Sequence, residues 1–124
     1  MWFYIVASLG GFTAIFIDAL VSHSQFFDQF VITQVKTAIQ YQLIHSVVLL
    51  IVGLLYQTYR VSLLNWIGLV FFFGIVTFCV GIYFKLLLNV KILSWVIPIG
   101  GASLMLAWLM LLFFSLIVYN KKIS

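Results

Sequence analysis

Four long apolar stretches dominate the chain, and short polar segments separate them. They run from Trp2 to Val21, Thr37 to Tyr56, Leu63 to Leu88 and Leu93 to Tyr119. A helix needs about 20 apolar residues to cross a hydrocarbon core of about 30 Å, and each stretch reaches that length. The runs are continuous and lack the alternation of a membrane β-strand, which argues against a β-barrel. The pattern predicts an all-α fold, a four-transmembrane-helix bundle that forms one integral membrane domain over residues 1–124. The approximate helix bounds are 2–21, 37–56, 63–88 and 93–119.

Residues 22–36 form the longest connection and have a pattern of their own. On a helix, Phe26, Phe27 and Phe30 share one side, whereas Asp28 and Lys36 fall elsewhere. This arrangement predicts a short amphipathic connector at the membrane surface after the first helix. A helical extension of the second helix fits the same residues, so both alternatives stay open.

Composition agrees with lipid as the solvent, since 66% of the 124 residues are hydrophobic and only 6% are charged. A soluble domain of this length has too little interior to bury so much apolar surface. The formal charge of +4 comes from cations dispersed over loops and helix ends, so we expect no nucleic-acid partner. The first stretch lacks a basic start and exceeds the usual apolar length of a signal peptide, which favours an uncleaved span.

The basic residues bear on orientation. Arg60, Lys121 and Lys122 fall on the side of both termini, whereas Lys36, Lys85 and Lys91 fall on the other. Lys85 belongs to a helix end rather than a free loop, so the positive-inside rule favours cytoplasmic termini.

Small residues recur at helical spacing in three of the four stretches. They are Gly10, Gly11 and Ala14 in the first, Gly74 and Gly81 in the third, and Gly100 and Gly101 in the fourth. Small side chains let helices approach closely in lipid, where the hydrophobic effect does not drive them together. These positions are therefore predicted helix-packing sites.

A polar cluster is predicted where the first helix ends and the second begins. Tyr41, Gln42 and His45 lie close together on the second helix. Buried polar groups cost several kcal/mol without partners, so this half should face protein or trapped water. Asp18 and Lys85 have similar predicted depths on small-residue faces, and we predict an ion pair between them, direct or water-bridged. Separate snorkelling of the two charges to the interface is the alternative.

The two histidines raise the question of a cofactor. His23 lies at the mouth of the predicted bundle, and His45 lies about 12 Å into the membrane. Imidazoles on facing helices can ligate haem, copper or zinc. Their unequal depths and the lack of Cys or Glu neighbours favour His45 as a hydrogen-bonded core residue. We therefore predict no metal and no cofactor.

The chain offers no serine–histidine–aspartate, paired-carboxylate or cysteine–histidine set, and Cys79 is its only cysteine. We therefore expect no enzyme and no catalytic residue. A proton relay through Asp18, Tyr41 and His45 would find no ionisable group to continue it across the other half of the bundle. This argues against a transporter.

Two segments resemble a known family. YQLIH at residues 41–45 resembles a "YQxxHxLxLL" motif, and VIPIGG at 96–101, followed by Trp108, resembles "TPIGG…GW". The chain is thus similar to the domain-of-unknown-function-423 (YgdD-like) family of small bacterial integral membrane proteins. It departs from the family at Asp18, near the "GAFGAH" position, and at Lys85, where the family is commonly apolar. The resemblance implies a four-helix protein of the bacterial inner (plasma) membrane without a characterised biochemical role.

These features favour an uncharacterised multi-pass membrane protein that acts as a non-catalytic accessory, assembly or stabilising subunit of a larger complex. Its expected partners are the lipid bilayer and other membrane subunits or further copies of itself. A membrane protein that binds haem, copper or another small molecule through the polar cluster is the alternative. A small transporter is the third.

Overall fold

The computed structural model describes residues 2–123 and is helical apart from short connections. Within that range, four helices are long and apolar enough to cross a membrane: Trp2–Ser22, Gln29–Tyr59, Ser62–Leu87 and Lys91–Lys122. We refer to these as the first to fourth spans. The predicted all-α fold with four spans is confirmed. Short connections at residues 23–28, 60–61 and 88–90 join them.

The second span begins at Gln29 rather than at Thr37. Asp28 is its N-cap, and the carboxylate accepts a hydrogen bond of 2.9 Å from the backbone N–H of Val31. This satisfies one of the first-turn donors that have no partner within the helix. Of the two alternatives for residues 22–36, the structure has the helical extension. The connection shortens to residues 23–28, and Phe26 remains almost fully exposed there.

The second span forms the centre of the bundle. Half of its most apolar stretch is buried, compared with 17% in the first and the fourth spans. The first span packs mainly on the second, and the fourth packs mainly on the third. Two apolar clusters result, one around Phe3, Leu49 and Phe71 and the other around Val35 and Cys79.

The third span contains a π-helical segment, Ile75–Val80. In an uninterrupted α-helix, Tyr83 would lie about 120° around the axis from Phe71, at 100° per residue. The wider turns of a π-helix take more residues per turn and rotate Tyr83 back. Phe71 and Tyr83 therefore both face the second span, where Phe71 meets His45 and Tyr83 meets Gln42.

The fourth span starts with a 3₁₀ turn, Lys91–Trp95, and continues as the α-helix Val96–Ile123. Pro98 thus falls in the first α-helical turn, where its missing N–H is tolerated.

Most of the predicted small-residue positions lie at helix contacts. A side chain added at Gly10 would overlap Ser46, and one added at Gly74 would overlap Leu104. At Gly100 the added carbon would overlap the backbone of Phe78, which cannot rotate away. The remaining contacts are Gly81 with Ile97, Gly101 with Phe78, and the fully buried Ala14.

Gly11 is the exception among these positions. A carbon added there meets nothing within 4 Å, so Gly11 makes no close helix contact within this chain. Conversely, Gly68 and Gly53 were not predicted, yet both receive the side chain of Phe3.

Candidate functional site

The second span carries three buried polar side chains that hold nitrogen or oxygen atoms inside the bundle. They are Gln42, His45 and Ser46, each about 95% buried. The expectation that this half of the helix faces protein is confirmed for these three. Tyr41 differs, since 44% of it is exposed at the bundle surface.

Gln42 joins three spans through its amide group. Its Nε2 donates to the carbonyl oxygen of Gly10 at 2.7 Å and to Thr13 Oγ1 at 2.8 Å. Its Oε1 accepts a hydrogen bond of 2.7 Å from the hydroxyl of Tyr83. Both amide hydrogens are therefore used, and the side chain links the first, second and third spans.

His45, almost one turn further along, joins the second span to the fourth. Its Nδ1 lies 2.6 Å from the carbonyl oxygen of Tyr41, and its Nε2 lies 3.1 Å from the indole nitrogen of Trp108. A carbonyl oxygen can only accept and an indole N–H can only donate. Nδ1 must therefore carry the proton while Nε2 accepts. His45 is a neutral, fully hydrogen-bonded imidazole, which agrees with its interpretation as a core residue.

This arrangement limits what His45 can do chemically. A metal ion bound through Nε2 would displace the Trp108 N–H, and one bound through Nδ1 would displace the Tyr41 carbonyl contact. Among the described residues, no group of three or more His, Cys, Asp or Glu side chains could hold a metal ion. The structure therefore places His45 in a helix-joining role.

These contacts lie near the middle of the bundle. Gly10 and Thr13 fall halfway along the 21-residue first span. Trp108 follows Val96 by about 18 Å of helical rise, which places it near the middle of the fourth span. We call Thr13, Gln42, His45, Tyr83 and Trp108 the polar core.

The prediction of a direct ion pair between Asp18 and Lys85 was wrong. Asp18 Oδ1 lies 3.7 Å from Lys36 Nζ, and the same ammonium group donates to Ser22 Oγ at 2.9 Å. The helical extension of the second span brings Lys36 alongside the end of the first span. Lys85 lies half-buried in the last turn of the third span, apart from this pair.

His23 also stands apart from the polar core. It is exposed at the start of the 23–28 connection, where it borders a cleft with Phe26 and Phe27. The structure thus divides the predicted cluster into two regions. Gln42 and His45 are inside the bundle, whereas Asp18 and His23 are at its edge.

A groove of about 560 Å³ opens beside the polar core, between the second span and the third and fourth. The rings of Tyr41, His45, Phe78 and Trp108 form its walls, and Gly101 lies at its edge. The Tyr41 and Phe78 rings meet edge to face at 5.2 Å, and the Tyr41 and His45 rings are parallel at 6.0 Å. We call this the aromatic groove.

Sequence reasoning missed three members of the polar core. Thr13 and Tyr83 carry hydroxyl groups within apolar helices, and each is a candidate partner for a buried amide. Trp108 was noted only as part of the family resemblance. A search for hydrogen-bonding side chains at matching depths on neighbouring helices could have found all three.

Comparisons with known proteins agree with the resemblance. A family model described as "Protein of unknown function (DUF423)" matches residues 17–101, which include both motif segments. The UPF0382 membrane protein of Staphylococcus epidermidis is 40% identical over 81 residues, covering 65% of this chain and 66% of that protein.

Two further relatives are similarly close. The UPF0382 membrane protein of Staphylococcus saprophyticus is 37% identical over 76 residues, with 61% of this chain and 62% of that protein covered. The one from Staphylococcus aureus strain RF122 is 35% identical over 77 residues, covering 62% of each chain. Each match spans slightly less than two thirds of the relative. No solved structure matches. By the extent of the family match, the chain belongs to the DUF423 family, and the relatives it resembles are named as membrane proteins.

Proposed function

We propose that this protein is a non-catalytic accessory subunit that assembles with, or stabilises, other membrane proteins in the bacterial inner (plasma) membrane. The observation that supports this proposal is that the hydrogen-bonding groups of the polar core are taken up by contacts within the protein. Both ring nitrogens of His45 and both amide hydrogens of Gln42 are engaged, and all of these contacts except that of His45 Nδ1 with Tyr41 join two helices. Groups committed in this way support a structural role rather than a chemical one.

The outer face of the first span supports assembly with a partner. Only 17% of its most apolar stretch is buried within the chain, and Gly11 has open space around it. Glycine costs about 1 kcal/mol relative to alanine in a helix interior. A close-packed helix from another subunit would use the room that Gly11 leaves.

Purification from native membranes tests this proposal. We expect the tagged chain, extracted in a mild detergent, to carry a stoichiometric membrane partner in native mass spectrometry. Gly11→Leu should release that partner, since a bulky side chain would occupy the contact. Ser115→Leu, at an exposed position of the fourth span, is the matched control. Recovery of the unmodified chain solely as a free monomer would contradict the proposal.

The proposed orientation places both ends of the chain in the cytoplasm. Lys121 and Lys122 end the fourth span, and Arg60 lies in the connection on the same side. On the opposite side, Lys85 is held in a helical turn and Lys36 in the pair with Asp18. Lys91, the third cation on this side, begins the fourth span. By the positive-inside rule, we expect the side of Arg60, Lys121 and Lys122 to be cytoplasmic.

Cysteine labelling tests the orientation. In a Cys79→Ser background, Gln25→Cys and Asn120→Cys place single thiols at exposed positions on opposite sides. An impermeant reagent added outside the cytoplasmic membrane should label Gln25→Cys and spare Asn120→Cys. The reverse pattern would contradict cytoplasmic ends.

A further inference from the structure

We propose that the aromatic groove binds a neutral, membrane-soluble compound with a flat ring that carries a carbonyl group. This ligand site is independent of the accessory role, since it lies between the second, third and fourth spans rather than on the outer face of the first. The volume of about 560 Å³ is within the range of small-molecule pockets, which are lined mainly by apolar and aromatic side chains.

The walls of the groove suit a flat ring. Phe78 stands edge to face with Tyr41, and Trp108 stands edge to face with His45 at 6.0 Å. Aromatic groups prefer such tilted or offset contacts with each other over face-to-face stacking. A ligand ring placed between these walls could make tilted contacts with some of the four rings and offset contacts with others. Nearly half of the Trp108 side chain is exposed, so its ring is accessible.

The polar atoms available in the groove include donors that a hydrogen-bond acceptor of a ligand can use. The Trp108 N–H and both nitrogens of His45 are already engaged. The Tyr41 hydroxyl and the Gln40 amide, which also line the groove, have no hydrogen-bond partner among the described residues. Each can donate to a carbonyl oxygen of a ligand. In lipid, no water competes for these donors, so an acceptor on the ligand is favoured.

The groove also selects against charge, because no Asp, Glu, Lys or Arg lines it and the imidazole of His45 is already engaged on both nitrogens. An unpaired ion buried there would lose its hydration without gaining a counter-charge. Its position gives access from the bilayer rather than from water. Gly101 lies about 8 Å along the fourth span from Val96, and Trp108 lies about 18 Å along it. A ring near Tyr41 could therefore extend an apolar tail toward the middle of the membrane.

Photo-crosslinking tests the site with a benzophenone that carries a dodecyl chain, a ring ketone that reacts with nearby C–H bonds. The protein is reconstituted in vesicles of phosphatidylglycerol and phosphatidylethanolamine, and labelled peptides are mapped by mass spectrometry. We expect labelling to concentrate on Met105, which lines the groove and is 70% exposed. Dodecyl acetophenone should compete for the site, whereas dodecylbenzene, which lacks the carbonyl, should compete weakly.

Three variants identify the contacts. Tyr41→Phe removes a hydroxyl without a described partner, so it should leave the fold intact. It should weaken competition by dodecyl acetophenone about fivefold, the effect of one neutral hydrogen bond. Gly101→Leu should block labelling by filling the groove edge. Ser115→Leu, at an exposed position of the fourth span outside the groove, should change nothing.

Two results would overturn the proposal. One is labelling spread over the exposed residues of all four spans in proportion to their exposure. That result would mean that the probe reacts from the lipid phase without binding in the groove. The other is equal competition by dodecylbenzene and dodecyl acetophenone together with unchanged competition in Tyr41→Phe.

Discussion

The polar residues of this protein occupy two regions that differ in chemistry and in energy. In the polar core, contacts of 2.7 to 3.1 Å between spans join neutral side chains, of which Gln42, His45 and Tyr83 are buried. At the edge, Asp18 and Lys36 are 3.7 Å apart, and each is about half exposed. The fold thus uses neutral hydrogen bonds to join helices inside the membrane and leaves its charges where water can reach them.

The difference in burial between the two regions indicates which contacts should contribute more to stability. An exposed ion pair contributes about 0 to 1 kcal/mol, because water and salt screen it. Hydrogen bonds between helices in lipid average about 0.6 kcal/mol, but several converge on Gln42. Close backbone packing at Gly100 fixes the distance at which the third and fourth spans meet. We therefore expect the interior contacts to contribute more to the free energy of unfolding than the exposed ion pair does.

The largest effect should come from forcing two interior helices apart. Gly100→Ala places a carbon against the backbone of Phe78, which has no rotamer to adopt. Overpacking of this kind costs about 1 to 3 kcal/mol, and we expect the upper part of that range. The free energy of unfolding in mixed detergent–SDS micelles measures it. Gly11→Ala is the control, and it should leave stability unchanged or raise it by up to about 1 kcal/mol. Equal destabilisation by both variants would remove the distinction between closely packed and open glycines.

Removal of the Gln42 amide should have the next largest effect. Gln42→Met keeps the length of the side chain but eliminates its contacts to Gly10, Thr13 and Tyr83. At about 0.6 kcal/mol for each contact, we expect a loss of about 2 kcal/mol in the same unfolding assay. Gln40→Met changes an exposed amide two positions away and should have little effect. If the two variants lose the same stability, the polar core does not hold the bundle together.

The bond between His45 and Trp108 should contribute less, because only one contact is lost. Trp108→Phe keeps an aromatic ring and removes the N–H that His45 Nε2 accepts. We expect a loss of about 1 kcal/mol, with Trp66→Phe as the exposed control. Solid-state nitrogen NMR in bilayers provides a second measurement. The unmodified protein should show His45 protonated at Nδ1 only, and a proton on Nε2 would contradict the assigned contact.

The smallest effect should come from the edge. Asp18→Asn removes the charge that faces Lys36, and we expect less than about 0.5 kcal/mol at moderate salt. The difference from the unmodified protein should shrink further as salt concentration rises. The unfolding assay at two salt concentrations is the measurement. A loss of unfolding free energy that is independent of salt and as large as that of Gln42→Met would contradict this prediction. It would mean that the pair lies in a low-dielectric region.

The sequence predicted the helical spans well because hydrocarbon thickness imposes their length. It placed the start of the second span too late, because Lys36 and Thr33 interrupt the apolar run. Asp28 was the available signal, since aspartate is a preferred N-cap. That error led directly to the wrong partner for Asp18, because Lys36 was assigned to a connector rather than to a helix beside it.

The site was predicted on one helix and missed on the others. Periodicity shows which residues share a face of the second span, so Gln42 and His45 were found. It does not show which residue of another span lies opposite. The π-helical segment adds a further difficulty, since it rotates Tyr83 toward Gln42 by an amount that α-helical periodicity does not anticipate.

A double-mutant cycle between Gln42 and Tyr83 tests most directly whether hydrogen bonds from the second span hold the bundle together. Unfolding free energies are measured for Gln42→Met, Tyr83→Phe and the combined variant in one detergent–SDS system. A coupling between about 0.6 and 1.7 kcal/mol is the predicted result, in the range of hydrogen bonds between membrane helices. Strictly additive losses, with no coupling, would contradict the account.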